Sequence, residues 1–168
     1  HGVTWDPTFA IYEANRDLQR ARTQPWFREY ALPQVMQNFE PDATRHGSYH
    51  FDWTTAGVIM WRNNYRIWMQ WVREFARRGG NVTVGSDAGF IYELYGFTTI
   101  REMEMQQEAG FHPLEVTQHA TSNGAKLLGL TNTGVVRPGF KADLIVVDGN
   151  PLHNMKVLYA TGVDDVKD

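Results

Sequence analysis

The sequence predicts an α/β fold of parallel βα units followed by a β-only segment, and three observations predict it. The run "NVTVGSDAG" (residues 81–89) has the β-branched content of a short strand and ends in small residues. It follows a stretch of helical periodicity and precedes two more helix-patterned segments with no strand between them. "GVVRPGFKADLIVVD" (134–148) then brings β-rich residues around a Pro138-Gly139 turn. Alternating β and α patterns with an all-β tail are the signature of a parallel sheet joined to a smaller β piece.

The elements follow in order. Residues 2–11, "GVTWDPTFAI", read as a short strand entering a loop, because Pro7 cannot donate to a ladder. Residues 13–57 show little periodicity; with several prolines they predict short helical turns at most. From Val58, apolar residues at 61, 65, 68, 69, 72 and 75 recur at three- and four-residue steps. Arg62, Arg66, Arg73, Arg77 and Arg78 occupy the other face, and Gly79-Gly80 ends the helix. Residues 98–109 predict an amphipathic helix, with Glu102 and Glu104 as solvated positions. Residues 112–129 predict another, opened by His112-Pro113 with Glu115 in its first turn. Val157–Val166 reads as one more strand.

Composition bounds the function. Of 168 residues, 42% are hydrophobic and 21% charged, the balance of a chain with a real core. A net charge of −3 without a basic block gives no electrostatic case for nucleic acid as a partner. No apolar run approaches the 18 or so residues of a membrane span. The absence of cysteine excludes disulfides and thiolate metal sites. The compartment stays open, with the cytoplasm as the default, and the Asn81-Val82-Thr83 sequon falls in a strand where it reads as chance.

In parallel α/β folds the C-terminal ends of the strands form the mouth where ligands bind. Asp87 stands there, with Gly85, Ser86, Ala88 and Gly89 leaving room beside it. Such a carboxylate can ligate a hard or borderline cation and take a proton from water; it can equally cap a turn. A chain of this length is either a small open α/β domain or the end of a barrel, since a closed eight-stranded barrel takes roughly 250 residues.

Three motifs add a resemblance. "VGSDAG", "TTIREMEMQQEAGFHPLEVTQHATSNGAKLLGL" and "GVVRPGFKADLIVVDGNPL", in that order and spacing, resemble the C-terminal third of the amidohydrolase superfamily, and most the imidazolonepropionase and Xaa-Pro dipeptidase-like branch. "VTWDPTF" is similar to the seventh barrel strand of that branch. The resemblance implies the C-terminal part of a metal-dependent (β/α)8 TIM barrel over residues 1–133, with a long loop at about 12–57. It implies part of a small β-sandwich over 134–168. It also implies that Asp87 ligates a divalent ion, usually zinc, with one or two ions per complete barrel, and acts as general base on the water bound there. The superfamily's His-x-His pair, bridging lysine and later histidines have no counterparts in these residues. His1 directly precedes the strand-seven-like run rather than standing a helix earlier, and is not carried over. The chain therefore reads as a portion whose partner is the rest of the barrel, inactive by itself, within a possible homo-oligomer.

The implied reaction is hydrolysis of an amide-type C–N bond in a dipeptide, an N-acyl amino acid or a cyclic amide. Two alternatives stay open: a deaminase of the same superfamily, which shares the strand-eight aspartate, and a non-catalytic α/β binding or assembly module. Tyr92 and Tyr95, just past Asp87, and Trp53 and His50 in the long loop are the candidate substrate contacts. Trp26, Phe27, Tyr49, Phe51 and Trp53 could form a lid over the mouth, or an insertion packed on the outside. His46, His112, His119 and His153 read as loop, helix-start, helix and surface residues.

Overall fold

A computed structural model describes residues 2–45, 50 and 52–159. Its organising feature is one parallel strand pair. Strand β1 (Thr4–Trp5) pairs with β2 (Asn81–Val82) in the register Thr4 with Asn81 and Trp5 with Val82. The Asn81 amide donates to the Val3 carbonyl and the Thr83 amide to the Trp5 carbonyl, each at 3.1 Å. Because the pair is parallel, both strands end on the same side, and their onward loops form one mouth.

The crossover between them is long, and it is more helical than a loop. A 3₁₀ turn (Ala10–Tyr12) leads into α1 (Glu13–Arg16), α2 (Leu18–Arg22), α3 (Phe27–Tyr30) and α4 (Pro33–Phe39). The prolines explain the short pieces, as Pro33 opens α4 at its first position. Helix α5 (Thr55–Arg77) brings the chain back. Thr54 caps it by accepting the Gly57 amide at 3.1 Å, and Gly79, at φ 84°, supplies the left-handed residue that ends it. Its Tyr65, Met69 and Val72 enter a core shared with Phe9, Val82, Met105, Phe111 and Val116. The expected helix period is therefore the observed one.

After β2, α6 (Phe97–Glu108), α7 (Pro113–Ala120) and α8 (Ser122–Leu127) follow. The single helix expected over 112–129 is broken at Thr121 (φ −129°, ψ −89°). His112 opens α7 through a capping box: its Nδ1 accepts the Leu114 amide at 3.2 Å, while Glu115 accepts the His112 amide at 2.7 Å.

Three expectations change. Trp26 and Phe27 are buried in a second core with Ala14, Ala21, Phe39, Ile91 and Tyr92 rather than forming a lid, and Trp26 stacks on Phe97 (5.3 Å) and Tyr159 (4.6 Å). Residues 134–150 hold no strand. The Pro138-Gly139 turn forms as expected, with the Phe140 amide donating to the Arg137 carbonyl at 3.2 Å, but Leu144, Ile145 and Val146 lie exposed. A strand needs a ladder partner, and the described residues offer this segment none. Met155–Tyr159 forms a 3₁₀ turn where a strand was expected; the remainder of that segment, and His46, Tyr49 and Phe51, lie outside the described residues.

Candidate active site

The mouth is built from two loops that leave the strand pair side by side. From β1 the chain runs through Asp6, Pro7 and Thr8; from β2 it runs through Gly85, Ser86 and Asp87. A cavity of about 520 Å³ opens between them, floored by Ile11 and Trp68 and walled by Asp6, Thr8 and Asp87. Thr8 and Asp87 both carry positive φ, 50° and 49°. Non-glycine residues held in that region cost about 1–3 kcal/mol each, and such strain collects at functional sites.

Gly85 has a steric reason to be glycine. A Cβ there would stand 2.2 Å from Asp6 Oδ2 and 2.8 Å from its Cγ, so the Asp6 carboxylate lies directly over the Gly85 backbone. Asp6 Oδ1 accepts the Thr8 hydroxyl at 3.2 Å. Asp87, two residues beyond Gly85, is exposed and has no hydrogen bond or ion pair among the described residues. Two carboxylates thus border one cavity, and only one of them is engaged.

Asp6 is the residue that sequence reasoning missed. The signal was available: it stands directly past a β-rich run and before proline, at a strand mouth, as Asp87 does.

The other candidates gather elsewhere. His50, Trp53 and Tyr92 come together, with the His50 ring 5.3 Å from Trp53 and 6.3 Å from Tyr92. Both His50 ring nitrogens, Trp53 Nε1 and the Tyr92 hydroxyl are buried without a hydrogen-bond partner among the described residues. Burial, helped by the nearby Arg22, pushes His50 below the ordinary histidine range, and burial raises Tyr92. Tyr95 is 74% exposed, and its hydroxyl covers Gly89. None of these four lines the cavity that holds Asp87.

Behind the mouth, α6 corrects a further expectation. Glu102 is fully buried and Glu104 half-buried, where both were expected in solvent. Burial pushes the Glu102 carboxyl up to about 8, against donors that favour its charged form: the Gln106 side chain and the Ala10 and Phe9 amides. Glu13 is buried too and is gripped by Arg101, whose Nε donates to Oε2 at 2.8 Å and Nη2 to Oε1 at 2.5 Å, with Arg20 as a further partner. Arg101 also reaches Glu104 at 3.3 Å, and Glu104 accepts the Tyr159 hydroxyl at 2.7 Å.

Among the described residues, no group of three or more His, Asp or Glu side chains is gathered to hold a cation. The donor chemistry at the mouth does suit a divalent ion in part: Asp87 offers an unengaged carboxylate with open space around it.

The model of the amidohydrolase family matches residues 69–166, which covers the end of α5, the second strand, the Asp87 side of the mouth and α6 to α8. The chain belongs to the amidohydrolase family. Curated relatives include the 5-methylthioadenosine/S-adenosylhomocysteine deaminase of Dictyoglomus thermophilum, 43% identical over 54 residues (28% of this chain, 13% of the relative). The 5'-deoxyadenosine deaminase of Methanosarcina mazei is 30% identical over 110 residues (57% of this chain, 25% of the relative). The adenine deaminase of Methanothrix thermoacetophila is 51% identical over 41 residues (24% of this chain, 7% of the relative). The chain spans a quarter or less of the length of these relatives. No solved structure matches it. No helix among the described residues of this amidohydrolase-family chain is long and apolar enough to cross a membrane.

Proposed function

We propose that the chain carries the strand-seven and strand-eight end of a metal-dependent hydrolase that cleaves C–N bonds. The observation that carries this reading is the unengaged Asp87 carboxylate at the mouth of a parallel strand pair, inside the segment matched by the amidohydrolase family. A divalent ion, zinc first among the candidates, would supply an electrophilic centre and acidify water. Asp87 would be one of the residues that hold the ion; the remaining ligands would come from outside these residues.

The chain's own residues then have two tasks. Asp87 takes a proton from the attacking water at a carboxylate oxygen and returns it to the nitrogen that leaves, so that water adds across the C–N bond and an amine or ammonia departs. Gly85 leaves room for the Asp6 carboxylate beside the loop that carries Asp87. The relatives named as deaminases make C–N cleavage at a 6-aminopurine the first substrate class to test, ahead of dipeptides, N-acyl amino acids and cyclic amides. Tyr95, exposed and with its hydroxyl over Gly89 two residues past Asp87, is the substrate contact this reading keeps, while His50, Trp53 and Tyr92 gather away from the cavity. Residues 134–168 would be part of a small β-sandwich, a reading supported by the exposed apolar run at Leu144–Val146.

The test is Asp87→Asn in the full-length protein, assayed for deamination of 5'-deoxyadenosine and for bound metal by elemental analysis. The expected result is a fall in kcat of about a thousandfold or more with the fold intact. Near-normal turnover with Asn at 87 would sink the assignment, and would favour a binding or assembly module.

A further inference from the structure

We propose that Glu102 and Gln106 are positioning residues that lock the two halves of the mouth to each other, with His119 as their far anchor. Glu102 and Gln106 are both fully buried on successive turns of α6. Glu102 Oε2 accepts the Ala10 amide at 2.9 Å, four residues past Asp6. Its Oε1 accepts the Gln106 Nε2 group at 3.0 Å. That same Nε2 donates at 2.9 Å to the carbonyl of Thr83, four residues before Asp87. One two-residue bridge therefore runs from the loop after β1 to the end of β2.

The bridge is saturated. Both Nε2 hydrogens of Gln106 are used, on Glu102 and on Thr83, and its Oε1 meets His119 Nδ1 at 2.7 Å. An amide oxygen only accepts, so His119 carries its proton on Nδ1. The ring is wedged edge-on against Phe111 at 4.8 Å, which fixes the amide orientation of Gln106 and through it the lone pairs of Glu102. An apolar pair could fill this space, but it would leave the Ala10 amide and the Thr83 carbonyl without these partners. The β1–β2 ladder is only two residues long on each strand, so the bridge supplies alignment that the sheet is too short to supply.

Glu102→Gln distinguishes this from a merely structural role. The carboxyl group, with or without its proton, turns an oxygen toward each of the two N–H donors, whereas an amide has a single oxygen, so either the Ala10 amide or Gln106 faces a donor. The experiment is hydrogen-exchange mass spectrometry on the full-length protein, comparing wild type, Glu102→Gln and the control Glu13→Gln. Glu13 is an equally buried carboxylate outside the bridge. The expected result is exchange about tenfold faster in both 7–12 and 83–89 in Glu102→Gln, with 62–75 unchanged. The control should loosen 13–20 and leave 83–89 slow.

The proposal is overturned if 83–89 is unaffected in Glu102→Gln, or if Glu13→Gln loosens it equally. Should Glu102→Gln not fold, Gln106→Met keeps the side-chain volume and carries the same two-segment expectation and the same overturning result. The catalytic consequence rests on the role of Asp87 proposed above: with 5'-deoxyadenosine, kcat falls about tenfold in Glu102→Gln while KM stays within about threefold. Exchange is read without turnover, so an inactive wild type removes the hydrolase reading and still leaves the bridge decided.

Discussion

Asp87 and Glu102 lie 15 positions apart in sequence (102 − 87) and in opposite surroundings. Asp87 is exposed on a positive-φ residue with no partner among the described residues, while Glu102 is fully buried on a helix with its oxygens occupied. The difference separates two uses of the same functional group. A carboxylate kept free costs stability through its backbone strain and gains nothing in return until a cation or proton reaches it. A carboxylate kept buried is held by its donors and can organise backbone around itself, but it has no capacity left for chemistry.

The largest effect that can break this comparison is the activity loss at Asp87. Asp87→Asn should cost about a thousandfold or more in kcat and almost nothing in unfolding free energy, because the side chain has no hydrogen bond or ion pair to lose among the described residues. Urea unfolding beside the kinetic assay checks both halves. A marked loss of stability with activity retained would reverse the roles assigned to the two carboxylates.

The buried side is tested at Arg101, which is 6% exposed and holds Glu13 through two hydrogen bonds. Arg101→Met leaves a buried carboxylate with Arg20 and Arg16, both more exposed than Arg101, as its remaining ion-pair partners. Breaking one side of a buried pair in this way costs about 3–4 kcal/mol. Denaturant unfolding should show that loss, while kcat per folded molecule stays close to wild type. A loss below about 1 kcal/mol would show that the pair is replaceable.

How much of this was legible in the sequence depends on how far each signal reaches. The Asp87 side of the mouth could be located because its parts are local: a β-rich run, glycines and an aspartate lie within nine residues, and the three motifs carry the family resemblance. Helix α5 was legible through its period, and the His112 cap through its spacing to Glu115. The polar interior of α6 was not. Periodicity assigns Glu102 to solvent because its compensating donor, the Ala10 amide, lies 92 residues away, and burial of a carboxylate follows from partners rather than from hydropathy. Asp6 carried a local signal, a carboxylate directly past a β-rich run, but its place over Gly85 follows only from the parallel register. The strands expected in 134–148 fail differently. Their composition suits a sheet, but the turn alone is encoded locally, and a ladder needs a second strand.

A smaller effect sharpens the comparison at the mouth itself. Gly85→Ala places a Cβ where the Asp6 carboxylate lies, and Asp6 is exposed enough to swing aside. Stability should change by less than about 1 kcal/mol, while kcat/KM falls about tenfold as Asp6 moves into the approach to Asp87. Unchanged kinetics would show that the placement of Asp6 is incidental.

The smallest effect concerns pH and lies behind the mouth, at His119. Burial, with Arg73 adding to it and Glu115 opposing, pushes this imidazole down to about 4, below its ordinary 6.5. The unfolded chain therefore takes up a proton that the folded chain refuses between those values. This contribution to stability is complete above about pH 6.5 and is lost progressively as pH falls toward 4. Glu102 works in the opposite sense over part of the same range: raised to about 8, it keeps its proton in the folded state and favours folding as pH falls from about 8 toward 4.5. The two slopes partly cancel in the wild type, so the net pH dependence is shallow and only a difference measurement separates them. His119→Gln removes one of the two. Its stability relative to wild type should improve by about 1–2 kcal/mol between pH 7 and pH 5, measured by urea unfolding at each pH. A flat difference would mean that His119 accepts its second proton without cost at Nε2, and the anchor would then have to be the Phe111 contact rather than the neutral tautomer.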